Sequence, residues 1–159
     1  MMTQALDDPF AQVALAAAIA REAHAGQVDK LGVEYVRHPQ AVASAFDPET
    51  QPVECAGAWL HDVLEDTDID ADDLRSRGVQ EPVLSVVDLL TRRDDVPDDT
   101  YYRRIAAHPV ARAVKIADIA HNLHPDRVAA LEPDVRERLA RKYDTALRAL
   151  GVRGLEPAP

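Results

Sequence analysis

Residues 52–67 read PVECAGAWLHDVLEDT, an apolar run that ends in a histidine and three acidic side chains. Proline is favoured in the first turn of a helix, and the residues after it lack the strict alternation that is typical of a strand. We therefore predict a helix from about Pro52 to Glu65. The rest of the chain agrees, because no stretch of five or more residues alternates as a half-buried strand would. The sequence predicts an all-α fold.

The polar end of this segment could bind a cation. His61 and Asp62 are adjacent, and Glu65 and Asp66 follow Asp62 by three and four residues. On a helix these spacings place the side chains at neighbouring positions on one face. Acids this close repel one another unless a cation or a proton lies between them. The segment leaves two interpretations open, a metal site and a solvated acidic end of a helix.

Capping residues, prolines and glycines delimit the other helices. Asp7 or Asp8 is expected to cap the first helix, and Gly26 lies beyond its end. Asp70 is expected to cap a short helix that ends at Gly78. The predicted helices cover about residues 9–25, 38–46, 52–65, 71–77, 82–93, 101–108, 109–123 and 133–150.

The composition limits the classes of function. The chain has 159 residues, with 18 Lys+Arg, 28 Asp+Glu and a formal net charge of −10. This charge argues against a nucleic acid polymer as partner, because binding a phosphate backbone needs a positive field. The single cysteine, Cys55, excludes an intrachain disulfide and a cysteine-rich zinc site.

Length and hydropathy bound the domain organisation. We expect one domain at residues 9–151, an N-terminal tail at residues 1–8 and a C-terminal tail at residues 152–159. The N-terminus lacks the basic and apolar regions of a signal peptide, and no apolar run is long enough to span a membrane. We therefore expect a soluble cytoplasmic protein with no membrane partner. No exposed heptad seam indicates an oligomeric state.

Two further segments offer ligands of the same kind as the histidine and acids at residues 61–66. His38 stands before a proline at a predicted helix start. Asp118 lies in VKIADIAHN, among apolar residues that leave it little access to water. A buried carboxylate needs a partner, and Asn122 shares its helical face. One such residue is more often structural, whereas three segments that each carry a ligand favour a metal site.

Taken together, the motifs resemble the HD superfamily of metal-dependent phosphohydrolases, and within it the hydrolase domain of the RelA/SpoT type. The stand-alone small alarmone hydrolases are the most similar members. The motifs are HAGQVDKLGVEYVRHP at residues 24–39, LHDVLEDT at residues 60–67 and VKIADIAHNL at residues 114–123. They occur in the family's order and spacing, and the resemblance covers roughly residues 10–150. It implies a single helical bundle of the HD-domain type, with a metal site between helices.

The resemblance also implies a metal and a reaction. Family members bind one divalent metal, usually Mn²⁺, and the matching ligands in this sequence are His38, His61, Asp62 and Asp118. Members remove the 3′-pyrophosphate from the alarmones (p)ppGpp, and some remove the 2′-phosphate of NADPH. The implied function is metal-dependent hydrolysis of a ribose-linked phosphate of a nucleotide, with (p)ppGpp-like alarmones as the expected substrates.

Other residues match the family's catalytic and substrate contacts. Glu65 and Asp66 match an acidic pair that would orient and deprotonate the attacking water. The matches to substrate-binding residues are Lys30 for a phosphate, Asn122 for the sugar and Tyr143 for the pocket wall. His121 is expected to brace the metal site without binding the metal itself.

The base-recognition loop departs from the family pattern. The family reads R-K-S/D-G-x-P-Y, whereas residues 29–35 read DKLGVEY. Asp29 replaces an arginine that stacks on the base, and Leu31 and Glu34 also differ from the pattern. An adenine alarmone, the 2′-phosphate of NADPH and a nucleoside monophosphate therefore stay open as substrates, and so does a non-catalytic nucleotide sensor. Of the basic residues that could supply compensating positive charge, Arg103 and Arg104 are the first that we expect in the pocket. The six candidates are Arg37, Arg92, Arg93, Arg103, Arg104 and Lys115.

Overall fold

The computed structural model describes residues 6–153, which form ten α-helices and no β-strand. The helices are α1 (Pro9–Ala23), α2 (Arg37–Ala43), α3 (Pro52–Leu60), α4 (Val63–Asp66), α5 (Ala71–Ser76), α6 (Glu81–Leu90), α7 (Asp98–Ala106), α8 (Pro109–Asn122), α9 (Pro125–Ala129) and α10 (Pro133–Ala149). The prediction of an all-α fold is confirmed. Within the described range, no helix combines the length and the apolar character that a membrane crossing requires. The two predicted tails, residues 1–8 and 152–159, lie mostly outside the described residues.

Helix α3 lies at the centre of the bundle and packs against α1, α2, α6 and α8. Small side chains permit this close packing, since Ala56 and Ala58 are fully buried. A Cβ atom added at Gly57 would lie 2.8 Å from Cγ1 of Val86 on α6. Because α2 and α8 both pack on α3 and on each other, the three segments that carry the predicted metal ligands meet in one place.

Local capping sets several helix ends as predicted. The Asp8 side chain accepts a hydrogen bond from the Ala11 N–H at 3.0 Å and begins α1. At α5, Asp70 and Asp73 form a reciprocal capping box. A proline occupies the first turn of α1, α3, α6, α8, α9 and α10. Proline lacks an N–H that the first turn would leave unpaired, so these starts follow from the sequence alone.

The predicted helix from Pro52 to Glu65 is wrong at one point. Helix α3 ends at Leu60, and α4 begins only at Val63. The ring Nδ1 of His61 lies 2.6 Å from the backbone oxygen of Ala58, and the Asp62 backbone has φ −104° and ψ −2°. This side-chain hydrogen bond competes with the helical one, and the chain turns at these two residues. The four polar side chains therefore do not share one helical face.

Smaller differences concern the bounds of three helices and one additional short helix. Helix α9 was not predicted, and its first turn is capped by His124, whose Nδ1 accepts from the Asp126 N–H. Helix α7 begins at Asp98, before the expected start at residue 101. Helix α6 ends at Leu90, because the Thr91 hydroxyl donates to the Val87 carbonyl and the Thr91 backbone is extended. Helix α2 likewise ends at residue 43, before the expected residue 46.

Candidate functional site

Four predicted metal ligands converge between the helices. His38 comes from α2, His61 and Asp62 from the turn between α3 and α4, and Asp118 from α8. His38 Nε2 lies 2.8 Å from Asp118 Oδ1 and 3.9 Å from Asp62 Oδ2. His61 Nε2 lies 3.1 Å from Asp62 Oδ2 and 3.5 Å from Asp118 Oδ1. Two ligand atoms on one cation, each about 2.1 Å from it, are roughly 3.0–3.4 Å apart, so these distances suit a common metal.

The orientation of His61 also fits a metal ligand. Its Nδ1 donates to the Ala58 carbonyl, which leaves the lone pair on Nε2. Nε2 is buried and forms no hydrogen bond among the described residues, although a carboxylate lies 3.1 Å away. Nε2 and the two carboxylates converge on one point, which a proton or a metal cation can occupy. His38, His61 and Asp118 thus fit a divalent-metal site.

The charges of the cluster favour a cation at the same point. Burial disfavours the imidazolium form, yet the carboxylates of Asp62 and Asp118 outweigh it and raise the pKa of His61 well above its usual value. Burial likewise disfavours the charged carboxylates, but His61 lowers the pKa of Asp62 to about 2. Lys115 and His61 hold the pKa of Asp118 well below its usual range. A bound metal would take the place of the proton on His61.

His121, which the sequence predicts to brace the metal site, contacts the ring nitrogen of His38 that faces away from Asp118. Its Nδ1 lies 2.7 Å from Nδ1 of His38, and the two rings are stacked with centroids 5.0 Å apart. Burial and the neighbouring His38 lower the pKa of His121 to about 4, so its ring is neutral and its Nδ1 can accept a hydrogen bond. If His38 donates from Nδ1, its Nε2 offers a lone pair to the cluster.

A cavity of about 340 Å³ opens beside these ligands. Its lining combines the four ligands with basic side chains and with three further acids, Asp29, Glu34 and Glu65. The basic residues that line it are Arg37, Arg92, Lys115, Arg127 and Lys142. The aromatic residues that line it are Tyr35, Tyr101, Tyr102 and Tyr143. A cavity that brings basic side chains together with metal ligands suits a phosphorylated substrate.

Tyrosine side chains and the Asp118 carboxylate contact the cations of the cavity. Arg92 donates to the Tyr102 hydroxyl at 2.9 Å, and its guanidinium lies 4.7 Å from the centre of the Tyr101 ring. Lys115 donates to Asp118 at 3.2 Å. Burial, Arg92 and Lys115 lower the pKa of Lys142. Positive charges that disfavour one another in this way would be stabilised by an anion.

The two residues of the predicted acidic pair, Glu65 and Asp66, both lie in α4 but have different surroundings. Glu65 lines the cavity and accepts a hydrogen bond from the Arg92 backbone N–H. Asp66 is not among the residues that line the cavity, and its Oδ2 accepts from the Tyr35 hydroxyl at 3.0 Å. The same hydroxyl lies 2.7 Å from Asp62 Oδ2. Partial burial raises the pKa of Glu65, although the side chain stays exposed to solvent.

The predicted substrate contacts differ in their positions. Asn122 lines the cavity and donates to Asp118 Oδ1 at 3.2 Å. Tyr143 also lines the cavity, and burial raises the pKa of its hydroxyl. Lys30 is exposed and is not among the lining residues. Neither Arg103 nor Arg104 lines the cavity, although Tyr101 and Tyr102 beside them do.

Arg127, Lys142 and Tyr35 are among the cavity residues that sequence reasoning missed. Arg127 lies on α9 and Lys142 on α10, and both reach the cavity from segments that carry no motif. Tyr35 was part of a motif but had no role assigned to it. Its position three residues before His38 was the available signal, because it places Tyr35 directly before the N-cap of α2.

Known proteins share both the sequence and the fold of this chain. The chain is 32% identical over 161 residues to the bifunctional (p)ppGpp synthase/hydrolase SpoT of Escherichia coli (strain K12), in an alignment that covers 92% of this chain and 23% of SpoT. It is 35% identical over 135 residues to the guanosine-3′,5′-bis(diphosphate) 3′-pyrophosphohydrolase of Haemophilus influenzae, covering 78% of this chain and 20% of that protein. The chain thus spans less than a quarter of the length of these curated relatives.

One solved structure extends the comparison to three dimensions. It is a metazoan ortholog of SpoT that hydrolyzes ppGpp, with a TM-score of 0.73 and 21% sequence identity, covering 94% of this chain and 88% of that one. No family model matches the chain. The names of the relatives above 30% identity agree with the resemblance, and the solved structure agrees with the helical bundle. The chain therefore belongs to the family of RelA/SpoT-type HD domains.

Proposed function

We propose that this chain removes the 3′-pyrophosphate of (p)ppGpp-like alarmones in a reaction that depends on Mn²⁺. The observation that carries the proposal is the convergence of four ligand side chains in a cavity that five basic side chains also line. The proposed ligands are His38, His61, Asp62 and Asp118. Two imidazoles and two carboxylates suit Mn²⁺, and the names of the relatives support the choice of substrate.

The bound metal would supply a Lewis acid and a water of lowered pKa. The chain's own residues hold the reactants around it. Asn122 is proposed to contact the ribose, because it is hydrogen-bonded to the ligand Asp118 and faces the cavity. Arg92, Lys115 and Lys142 are proposed to offset the charge of the phosphates, and Tyr143 to form part of the wall against which the nucleotide lies.

Glu65 is proposed as the general base. Its carboxylate faces the cavity, and the backbone N–H of Arg92 holds it in place. It would accept a proton from the attacking water as the new bond to phosphorus forms. The bond between phosphorus and the ribose 3′-oxygen breaks, and that oxygen takes up a proton. The products are GDP or GTP and pyrophosphate.

Two further residues of the predicted site, Asp66 and Lys30, lie outside the lining of the cavity. Asp66 is proposed to act through the Tyr35 hydroxyl, since this is the group that its carboxylate contacts. Lys30 is exposed on the loop between α1 and α2, so the mechanism above does not use it.

A panel of nucleotides tests the proposal. Protein with Mn²⁺ is mixed with ppGpp, its adenine counterpart, NADPH and nucleoside monophosphates, and the products are separated by ion exchange. The variant Asp62→Ala runs beside it, and bound metal is measured in both proteins. We expect GDP and pyrophosphate from ppGpp, and at least a 100-fold loss with Asp62→Ala together with loss of metal. Turnover of another nucleotide alone would identify that nucleotide, and not ppGpp, as the substrate. Binding of metal and nucleotide without turnover would indicate a non-catalytic sensor.

A further inference from the structure

A chain of polar contacts leads from the candidate metal centre to the loop between α1 and α2. Asn122 Nδ2 lies 3.2 Å from Asp118 Oδ1, and Asn122 Oδ1 lies 3.5 Å from an Nη atom of Arg127. The other Nη atom of Arg127 lies 4.0 Å from Asp29 Oδ2. Asp29, Asn122, Arg127 and Asp118 all line the same cavity. The order of these side chains matches the order of phosphate, ribose and base in a nucleotide whose phosphate lies at the metal.

The two oxygens of Asp29 have different tasks. Oδ1 accepts hydrogen bonds from the backbone N–H groups of Leu31 at 2.8 Å and Val33 at 3.0 Å. These two hydrogen bonds fix the turn of the loop. Oδ2 accepts no hydrogen bond within residues 6–153, and its charged neighbour is Arg127. The side chain is 20% exposed, so this oxygen remains accessible from the cavity. Asp29 Oδ2 is therefore a fixed hydrogen-bond acceptor at the end of the chain of contacts that begins at Asp118.

Aliphatic side chains of the same turn flank this acceptor, together with the guanidinium of Arg127. Val33 lines the cavity and is 38% exposed, and Leu31 is 47% exposed on the same turn. Exposed aliphatic side chains beside a fixed acceptor suit a flat group with apolar faces and a polar edge. A purine base has this character, whereas a phosphate or a sugar does not.

We propose that Asp29 is the residue that selects the base, with its Oδ2 accepting the adjacent N1–H and N2–H groups of guanine. This inference rests on the proposed function and names the base of its substrate. Guanine presents two neighbouring donors on this edge, whereas adenine presents one donor beside an acceptor. The acceptor of adenine would face the carboxylate and repel it. Arg127 offsets the charge of Asp29, which makes a carboxylate tolerable near a nucleotide.

The variant Asp29→Asn separates the two tasks of the side chain. Its amide oxygen can replace Oδ1 and keep the hydrogen bonds to the loop, while its amide nitrogen takes the place of Oδ2. A donor then faces the two donors of guanine, and the preference for guanine is lost. Asp126→Asn is the matched control, because it makes the same change at a side chain that is 94% exposed and does not line the cavity.

The test measures binding of GDP, IDP and ADP to the Mn²⁺-loaded protein by calorimetry. IDP keeps the N1–H of guanine but lacks the 2-amino group. We expect the native protein to bind GDP most tightly, IDP less tightly and ADP least, with GDP favoured over ADP by roughly tenfold or more. Asp29→Asn should reduce this ratio to about one, and Asp126→Asn should leave it unchanged. Circular dichroism confirms that both variants are folded.

The outcomes distinguish this inference from the proposed function. Preferential binding of GDP that Asp29→Asn abolishes supports the role of Asp29, even if no nucleotide is hydrolysed. Equal binding of GDP and ADP by the native protein overturns it, even if ppGpp is hydrolysed. An equal loss of affinity for both nucleotides in Asp29→Asn also overturns it, because the carboxylate would then contact a group that all nucleotides share.

Discussion

The two ends of the cavity differ in how they are built. At the metal end, His38, His61 and Asp118 are buried, and they come from helices that pack on one another. At the other end, Asp29 lies on a loop, and its partner Arg127 comes from the five-residue helix α9. Packing fixes the first set of side chains, whereas hydrogen bonds to a loop and one long ion pair fix the second. We therefore expect changes at the metal end to abolish function and changes at the loop end to alter its specificity.

The largest effect is expected at Asp118. The substitution Asp118→Asn keeps the shape of the side chain but removes the charge that His38, His61 and Lys115 all face. We expect bound metal to fall below a stoichiometric amount and turnover to fall by about 100-fold or more. Metal analysis after gel filtration, with turnover of the same sample, measures both. A fully loaded Asp118→Asn protein would show that the metal lies elsewhere.

A smaller effect at the same end is expected from His121. The substitution His121→Ala removes the ring that contacts Nδ1 of His38, so His38 loses its orientation. We expect the affinity for Mn²⁺ to fall by roughly 10- to 100-fold, as is usual when a group that orients a ligand is lost. Competition with a chelator of known affinity measures this change.

His108 offers the control for that experiment. Its Nδ1 accepts from the Ala111 N–H and caps α8, and it is not among the residues that line the cavity. The substitution His108→Ala should lower the free energy of unfolding by about 1 kcal/mol and leave metal affinity unchanged. Equal losses of metal affinity in the two variants would mean that His121 acts only on stability.

Two glycines compare the packing of the two ends. Gly57→Ala places a Cβ atom 2.8 Å from Val86 between α3 and α6, so we expect a loss of about 1–3 kcal/mol in the free energy of unfolding. Gly32→Ala meets no atom within 4 Å, but its φ of +79° disfavours any Cβ by about 1 kcal/mol. Urea denaturation measures both. A larger loss for Gly32→Ala would show that the loop contributes more to stability than its exposure suggests.

The sequence was sufficient wherever a local rule decides the structure. Caps such as Asp8 and Asp70, and prolines in first turns, determined most helix starts. The turn at His61 and Asp62 could not be predicted, because the sequence from Pro52 to Asp66 has good helical spacing throughout. Helix α3 ends where the His61 ring donates a hydrogen bond to the Ala58 carbonyl, and helix propensities do not describe a side-chain hydrogen bond of this kind.

The candidate site was predictable to a similar limit. The motifs indicated the four ligands, because a metal requires side chains of particular types. The cations of the cavity were predicted poorly, since many arginines and lysines of the chain are equivalent in sequence. Arg127 and Lys142 reach the cavity only because α9 and α10 fold back over it, which is a property of tertiary structure. Arg103 lies on the same helix as Tyr101 and Tyr102 but is exposed away from the cavity.

The smallest effect is expected at Lys30, where the motif and the structure disagree. The motif predicts a contact to a phosphate, whereas the structure leaves Lys30 exposed and outside the lining of the cavity. If phosphates bind along Arg92, Lys115 and Lys142, the substitution Lys30→Ala should change KM by less than about twofold, because an exposed charge at a distance is screened by salt. Lys142→Ala should raise KM at least about tenfold under the same conditions. The reverse order would move the phosphates from the inner wall to the loop, and the loop would then bind substrate charge as well as the base.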